Sequence, residues 1–163
     1  MSYFSKFFTS KAHLENIPYR TGLNSILRSE KRTVNVYKDM AAKINKEIDD
    51  LFPVLFPRTK YRGLGKLTDA EYEKFKNYKK GDVIIDNGFG YFGSNIEYAK
   101  RYSGNGKGVF IKLKIPILAK ISRIHPFSRK WGESLIKAGS KYLVLSNTLQ
   151  DNGLIKIVLK LIK

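Results

Sequence analysis

The sequence predicts an α+β fold: a helical N-terminal region followed by a split, mostly antiparallel β-sheet core. Three observations carry this. Apolar residues recur at spacings of three and four up to Leu51, the period of a helix. Pro53 and Pro57 then close that stretch. From Thr59 onward the apolar residues alternate, or cluster in short branched runs set off by glycines, as strands do. Helices first and mostly strands afterwards fit an α+β architecture. The chain of 163 residues is expected to form one compact domain, with residues 1–57 as a helical region packed on a core of residues 58–163.

The elements follow in order. Tyr3, Phe4, Phe7 and Phe8 fit a helix packed on the core, and equally a stretch that meets a membrane surface or a partner. A short helix is expected over Leu23 to Ser29. Val34, Tyr37, Met40, Ala41, Ile44, Ile48 and Leu51 form one apolar helical face. A strand is expected over Thr59 to Arg62. Thr68-Asp69-Ala70-Glu71 reads as a capping box that opens a helix to about Asn77. Gly81 introduces a strand over Asp82 to Asp86, and Gly88 to Gly93 is a second extended piece. Ser94-Asn95-Ile96-Glu97 has the same capping pattern, with Ser94 as the cap of a helix through Tyr102. After a glycine-rich turn, strands are expected over Val109 to Ile115, Ile117 to Ile124, Glu133 to Ile136, Lys141 to Leu145 and Leu154 to Leu161.

Composition removes several functional classes. Aromatic residues make up 13% and hydrophobic residues 42%, enough for a packed core, so global disorder is not expected. No apolar run approaches the roughly 20 residues of a membrane span. The start, Met1 to Phe8, is too short and too broken by polar residues for a signal peptide. With no cysteine and only His13 and His125, no metal site is expected and a cysteine nucleophile is excluded. The net charge of +17 gives a positive field that speeds encounter with polyanions, although dispersed lysine also serves plain solubility.

Three separated segments carry candidate chemistry. Arg62 stands at the end of a predicted strand before Gly63, where its planar fork suits a phosphate and the glycine admits a close ligand. Taken alone, Tyr61-Arg62-Gly63 also reads as a surface arginine before a turn. Tyr91 and Tyr102 are eleven residues apart, on a strand and the next helix, and their rings could flank a flat heteroaromatic. They also read, with Phe92 and Tyr98, as core aromatics. Glu133 is the only acidic residue between Glu97 and Asp151. It could accept a hydrogen bond from a ribose hydroxyl and stabilise positive charge developing on the sugar. It could equally pair with a neighbouring Lys or Arg.

Taken together, these segments resemble the ADP-ribosyltransferase superfamily from about Lys60 to the C-terminus. Tyr61-Arg62-Gly63 looks like the toxin-type branch. Gly88-Phe89 with Tyr91-Phe92-Gly93-Ser94, and Tyr102 eleven residues after Tyr91, looks more like the poly-ADP-ribose polymerase and diphtheria-toxin branch. Glu133, followed six residues later by Gly139 and then by Ser140 to Leu145, resembles the toxin-type ending. The resemblance implies NAD as co-substrate and cleavage of the nicotinamide–ribose bond. ADP-ribose would pass to a macromolecular acceptor, protein or nucleic acid. Glu133 and Tyr91 would act at the reacting sugar and nicotinamide, while Arg62, Gly63, Tyr61, Phe92, Ser94 and Tyr102 would bind the dinucleotide. Trp131 occupies the place where the toxin branch carries Glu or Gln, so it is assigned to the acceptor. The chain also lacks Ser-Thr-Ser at Tyr91-Phe92-Gly93. A mono-ADP-ribosyltransferase of toxin, effector or phage type is the resulting expectation, acting as a monomer in the cytoplasm, that of a host cell if delivered. The alternatives are a non-catalytic basic binding protein for nucleic acid or an acidic partner, and an NAD glycohydrolase or nucleic-acid-processing enzyme.

Overall fold

The computed structural model describes residues 24, 27, 28, 35–124 and 132–162. The expected N-terminal aromatic stretch therefore lies outside the described residues, as does Trp131. Asn24, Leu27 and Arg28 are helical, in keeping with the short helix expected there.

The first long helix, α1 (Asn35–Asp49), buries Ala41, Ile44 and Ile48, with Leu51 just beyond its end. These belong to the apolar face that the spacing marks out; Val34 and the Tyr37 side chain lie outside the described residues. The strands are β1 (Arg58–Leu64), β2 (Val83–Asp86), β3 (Gly90–Phe92), β4 (Val109–Ile115), β5 (Ser122–Arg123), β6 (Ser134–Ile136), β7 (Ser140–Leu149) and β8 (Ile155–Leu161). Two further helices, α2 (Asp69–Asn77) and α3 (Ile96–Ser103), lie between them. The expected α+β architecture is present. The five-stranded sheet runs β1-β4-β8-β7-β2, and a three-stranded sheet runs β3-β6-β5. All pairings are antiparallel except β4 with β8.

The capping box at α2 forms as the sequence indicates. Thr68 Oγ1 accepts from the Glu71 N–H, and the Glu71 carboxylate accepts from the Thr68 N–H. At α3 the expectation is corrected: Asn95, not Ser94, is the cap, its Oδ1 accepting from the Tyr98 N–H at 3.0 Å. Either side chain can satisfy an orphan donor of a first turn, but Ser94 is engaged elsewhere. A second correction concerns Ile117 to Ile124, where only Ser122–Arg123 pairs as a strand. Pro116 and the positive φ of 66° at Leu118 turn the chain there instead.

The two sheets pack face to face over a core that includes Phe92 and Ile136 from the smaller sheet and Ile111, Leu113, Ile157 and Leu159 from the larger. The other face of the smaller sheet, with Leu135 and Tyr91, packs against Ile44 and Ile48 of α1. One contact joins the sheets edge to edge. Tyr61 N–H donates to Gly93 C=O at 2.8 Å, and Gly93 N–H donates back to Tyr61 C=O at 2.9 Å. This bridge holds β1 beside β3 and fixes the site. Among the described residues, no helix is long and apolar enough to cross a membrane.

Candidate active site

Strand register places the first candidate. In β1, Lys60 lies opposite Leu113 and Arg62 opposite Ile111, and both of those β4 residues are buried in the inter-sheet core. Directly opposed residues share a face of a sheet. Two cations therefore stand on the inward face of β1, between the sheets.

Arg62 is half-buried, with its guanidinium carbon 5.9 Å from the centre of the Phe92 ring. No hydrogen bond or ion pair of this guanidinium is formed among the described residues. Burial lowers its pKa, and the like charge of Arg28 lowers it further, while Asp86, Tyr142 and Tyr91 oppose both effects. Those four side chains therefore lie within electrostatic reach of it. Tyr142 comes from β7, where its hydroxyl is buried without a hydrogen-bond partner among the described residues. Burial, then the Asp86 carboxylate, raises the Tyr142 pKa, against the two arginines. An unpaired buried hydroxyl costs on the order of 1–3 kcal/mol, so a half-buried cation and an orphaned donor in one place form a ready polar site.

Arg28 and Asp86 frame that site. Arg28 Nε and Nη2 each donate to one Asp86 oxygen at 2.8 Å, a bidentate pair. Burial works against the Arg28 charge, but the Asp86 hydrogen bonds and charge outweigh it, so the net shift is upward. Arg28 also donates to Phe89 C=O at 2.9 Å. Asn24, one helical turn earlier, reads the Phe89 peptide both ways, at 3.1 and 2.7 Å. Asn24 and Arg28 thus clamp the loop between β2 and β3. Sequence reading missed Arg28, Asp86 and Tyr142 as site residues, because each lies more than twenty residues from Arg62 along the chain.

Gly63 is placed by packing. A Cβ there would sit 2.0 Å from Ala99 C=O and 2.5 Å from Ser103 N, so only glycine lets α3 lie against β1. The pleat also fixes its backbone direction. Tyr61 uses its N–H and C=O on the edge facing Gly93, and Gly63, two residues on, presents its own groups to that same edge. The Tyr61 ring instead stacks on Phe110 at 6.0 Å.

Glu133 precedes β6. Its carbonyl accepts from Ile124 N–H at 3.3 Å, and its half-buried carboxylate is near enough to Tyr98 to raise the phenol pKa, after the larger effects of the Tyr102 hydrogen bond and burial. Register runs Tyr91 opposite Leu135 and Phe92 opposite Ser134, which continues to Gly93 beside Glu133. Alternation then puts Tyr91 and Glu133 on one face of the small sheet. Tyr102 pairs with Tyr98, hydroxyl to hydroxyl at 3.1 Å and rings 4.7 Å apart, and among the described residues no ring contact links it to Tyr91. The structure thus gathers Arg62, Phe92 and Tyr91 with Arg28, Asp86 and Tyr142. It gathers Glu133 with Tyr98 and Tyr102. The two groups are joined through the Tyr61–Gly93 bridge and β3.

Between them sits Lys60, only 5% exposed. Its Nζ donates to Ser94 Oγ at 2.6 Å and to Gly132 C=O at 2.5 Å. Burial and the charges of Arg58 and Arg123 lower its pKa to about 8. Sequence reading passed over it. The available signal was its position two residues before Arg62 in a predicted strand, which puts both on one face.

No protein-family model matches the sequence, and no curated protein sequence matches it. Solved structures do match. Plx2a, an ADP-ribosyltransferase toxin from Paenibacillus larvae, superposes with a TM-score of 0.71 at 17% identity, over 96% of this chain and 88% of that one. The Vis toxin, an ADP-ribosyltransferase from Vibrio splendidus, gives 0.72 at 18% identity, over 99% and 77%. C3stau2 from S. aureus, crystallised with NAD, gives 0.64 at 20% identity, over 98% and 90%.

The chain has the ADP-ribosyltransferase fold.

In that fold the Tyr61–Gly93 bridge sets β1, which carries Arg62, beside β3, and β3 pairs in turn with β6, which Glu133 precedes.

Proposed function

We propose that this protein is an NAD-dependent mono-ADP-ribosyltransferase. The observation that carries the reading is the Arg62 guanidinium, unpaired among the described residues, beside the orphaned hydroxyl of Tyr142 between the two sheets. A fold by itself does not name a reaction, but this pair suits an anionic, hydrogen-bonding ligand. C3stau2, which shares the fold, is described as a complex with NAD.

The roles follow from placement. Arg62 takes the dinucleotide phosphate, with Phe92 behind it and Arg28 held nearby by Asp86. The open backbone edge at Gly63 suits the carboxamide of nicotinamide. Tyr91 supports the nicotinamide side, and the exposed Tyr102, hydrogen-bonded to Tyr98, supports the side of Glu133. The nicotinamide leaving group is already cationic, so no strong acid is required. The site has to hold the dinucleotide folded and favour positive charge on the ribose carbon as the bond breaks. Glu133 supplies the anionic partner for that charge by accepting from a ribose hydroxyl. Ser94 serves the site indirectly, through Lys60.

The acceptor is a protein or a nucleic acid. The +17 charge favours an acidic one, and a toxin or effector acting in the cytoplasm of a target cell fits the neighbours in fold. Incubating the protein with labelled NAD and whole-cell lysate, beside a Glu133→Ala control, tests the reading. A labelled protein or nucleic acid that disappears in the control supports it. No NAD-dependent label and no release of nicotinamide refutes it and favours a non-catalytic binder.

A further inference from the structure

We infer that Lys60 is a positioning residue for Glu133: with Ser94 and Gly132 it forms a buried clamp that sets the backbone immediately before the carboxylate. The inference deepens the reading of the site given above and rests on it.

Three independent features meet here. The first is the ammonium itself, buried and, among the described residues, hydrogen-bonded only to neutral partners. It spans from β1 to Ser94, just past β3, and to Gly132, just before β6. A buried cation without a carboxylate is costly, and a lysine serving only to fill this space would be replaced by an apolar residue without loss. The second is the conformation of Gly132, whose φ of 57° lies in the left-handed region that side chains other than glycine resist. The third is space. A Cβ on Gly132 would sit 2.6 Å from Ser94 Oγ and 3.7 Å from Lys60 Nζ. Backbone conformation, close packing and hydrogen bonds to its carbonyl from Lys60 Nζ and, at 3.3 Å, from Ser94 Oγ therefore fix Gly132, and Glu133 is the next residue. Ser94 is available for this because Asn95 caps α3 in its place.

The clamp carries a pH signature. Arg58 on the same strand and Arg123 on β5 face Lys60, Glu133 follows its acceptor in the chain, and β3 contributes the neutral Ser94. Loss of the Lys60 proton near pH 8 removes one donor and the charge that orders both acceptors. An arginine at this position would stay charged at every pH in that range.

The test uses the full-length chain and the variants Lys60→Met, Lys60→Arg and Ser94→Ala, each checked for folding by near-ultraviolet circular dichroism. NAD turnover is measured from pH 6.5 to 9.5, and backbone amide exchange is followed at Ile124 and at residues 133–136. Lys60→Met is expected to lower kcat by about 10-fold or more, within the 10–10² range for a lost orienting partner. KM for NAD should change little. Lys60→Arg should restore most of kcat and lose the decline above pH 8 that is expected of the wild type. Faster exchange at Ile124, whose amide donates to Glu133 C=O, should accompany Lys60→Met. Unchanged kcat and an unchanged alkaline limb in Lys60→Met overturn the inference. So does a loss confined to KM, since that assigns Lys60 to the dinucleotide itself. If the wild type turns over no NAD, the reading of the site fails and amide exchange decides the clamp alone. Faster exchange in Lys60→Met and Ser94→Ala then upholds it, and unaltered exchange overturns it.

Discussion

Replacing Arg62 by methionine should make the free protein more stable and the NAD complex weaker. The structure sets both signs. Arg62 forms no ion pair or hydrogen bond among the described residues, so its charge is half-buried without direct compensation, and Arg28 adds like-charge repulsion. Methionine gives up the stacking of the guanidinium on Phe92, worth about 0.5–1 kcal/mol. Removing an uncompensated buried charge recovers more than that: replacing buried ionic groups by apolar ones of similar size is commonly neutral or stabilising by about 1–4 kcal/mol. A net gain of roughly 1 kcal/mol would raise Tm by about 2–4 °C in a chain of this size. Binding moves the other way. A bidentate charged contact to phosphate contributes about 1.5–3 kcal/mol, so Kd for NAD should rise between roughly 10-fold and 150-fold. Thermal melts with and without NAD read both quantities, and calorimetric titration fixes Kd. A variant that melts several degrees lower would show that Arg62 holds the fold, and an unchanged Kd would remove it from the NAD site.

Other expectations follow from the same geometry. Glu133→Gln should reduce turnover by about 10²-fold or more while leaving the melt unchanged; nicotinamide release at the wild-type rate would end the assignment. Gly63→Ala should fail to fold or lose several kcal/mol, about 3 or more, because its methyl would displace α3 from β1; a native melt would contradict the packing. Stability of the wild type should rise with pH between about 8 and 10.5, because the unfolded chain holds a proton on Lys60 that the folded chain has released. The rise is at most about 3 kcal/mol, and urea titrations at pH 7.5 and 10 should show it in the wild type and not in Lys60→Met.

Much of the fold was legible because its signals are local. The Thr68–Glu71 box, the apolar face of α1 and the alternating residues of β4 each depend on neighbours a few positions away. Ser94 shows where local reading stops. Its spacing to Glu97 is that of a capping pair, but Asn95 competes for the same first turn, and the buried ammonium of Lys60 gives Ser94 a stronger partner. Arg62 and Glu133 could be singled out as candidates, since each combines a distinctive neighbour with a predicted strand end. Arg28, Asp86 and Tyr142 could not, because nothing beside them in the chain marks them, and Lys60 is marked only by sharing a strand face with Arg62.

The sequence by itself determined where helices and strands begin, which residues are apolar enough to be buried, and that a cation, aromatics and a lone carboxylate lie near strand ends. Tertiary structure decided which of these meet. The Tyr61–Gly93 bridge brings β1 to β3, Arg28 reaches Asp86 across 58 residues, and Lys60 reaches Gly132 across 72. Periodicity reports which way a side chain faces from its own strand, and only the packing of one sheet on the other reports what it faces.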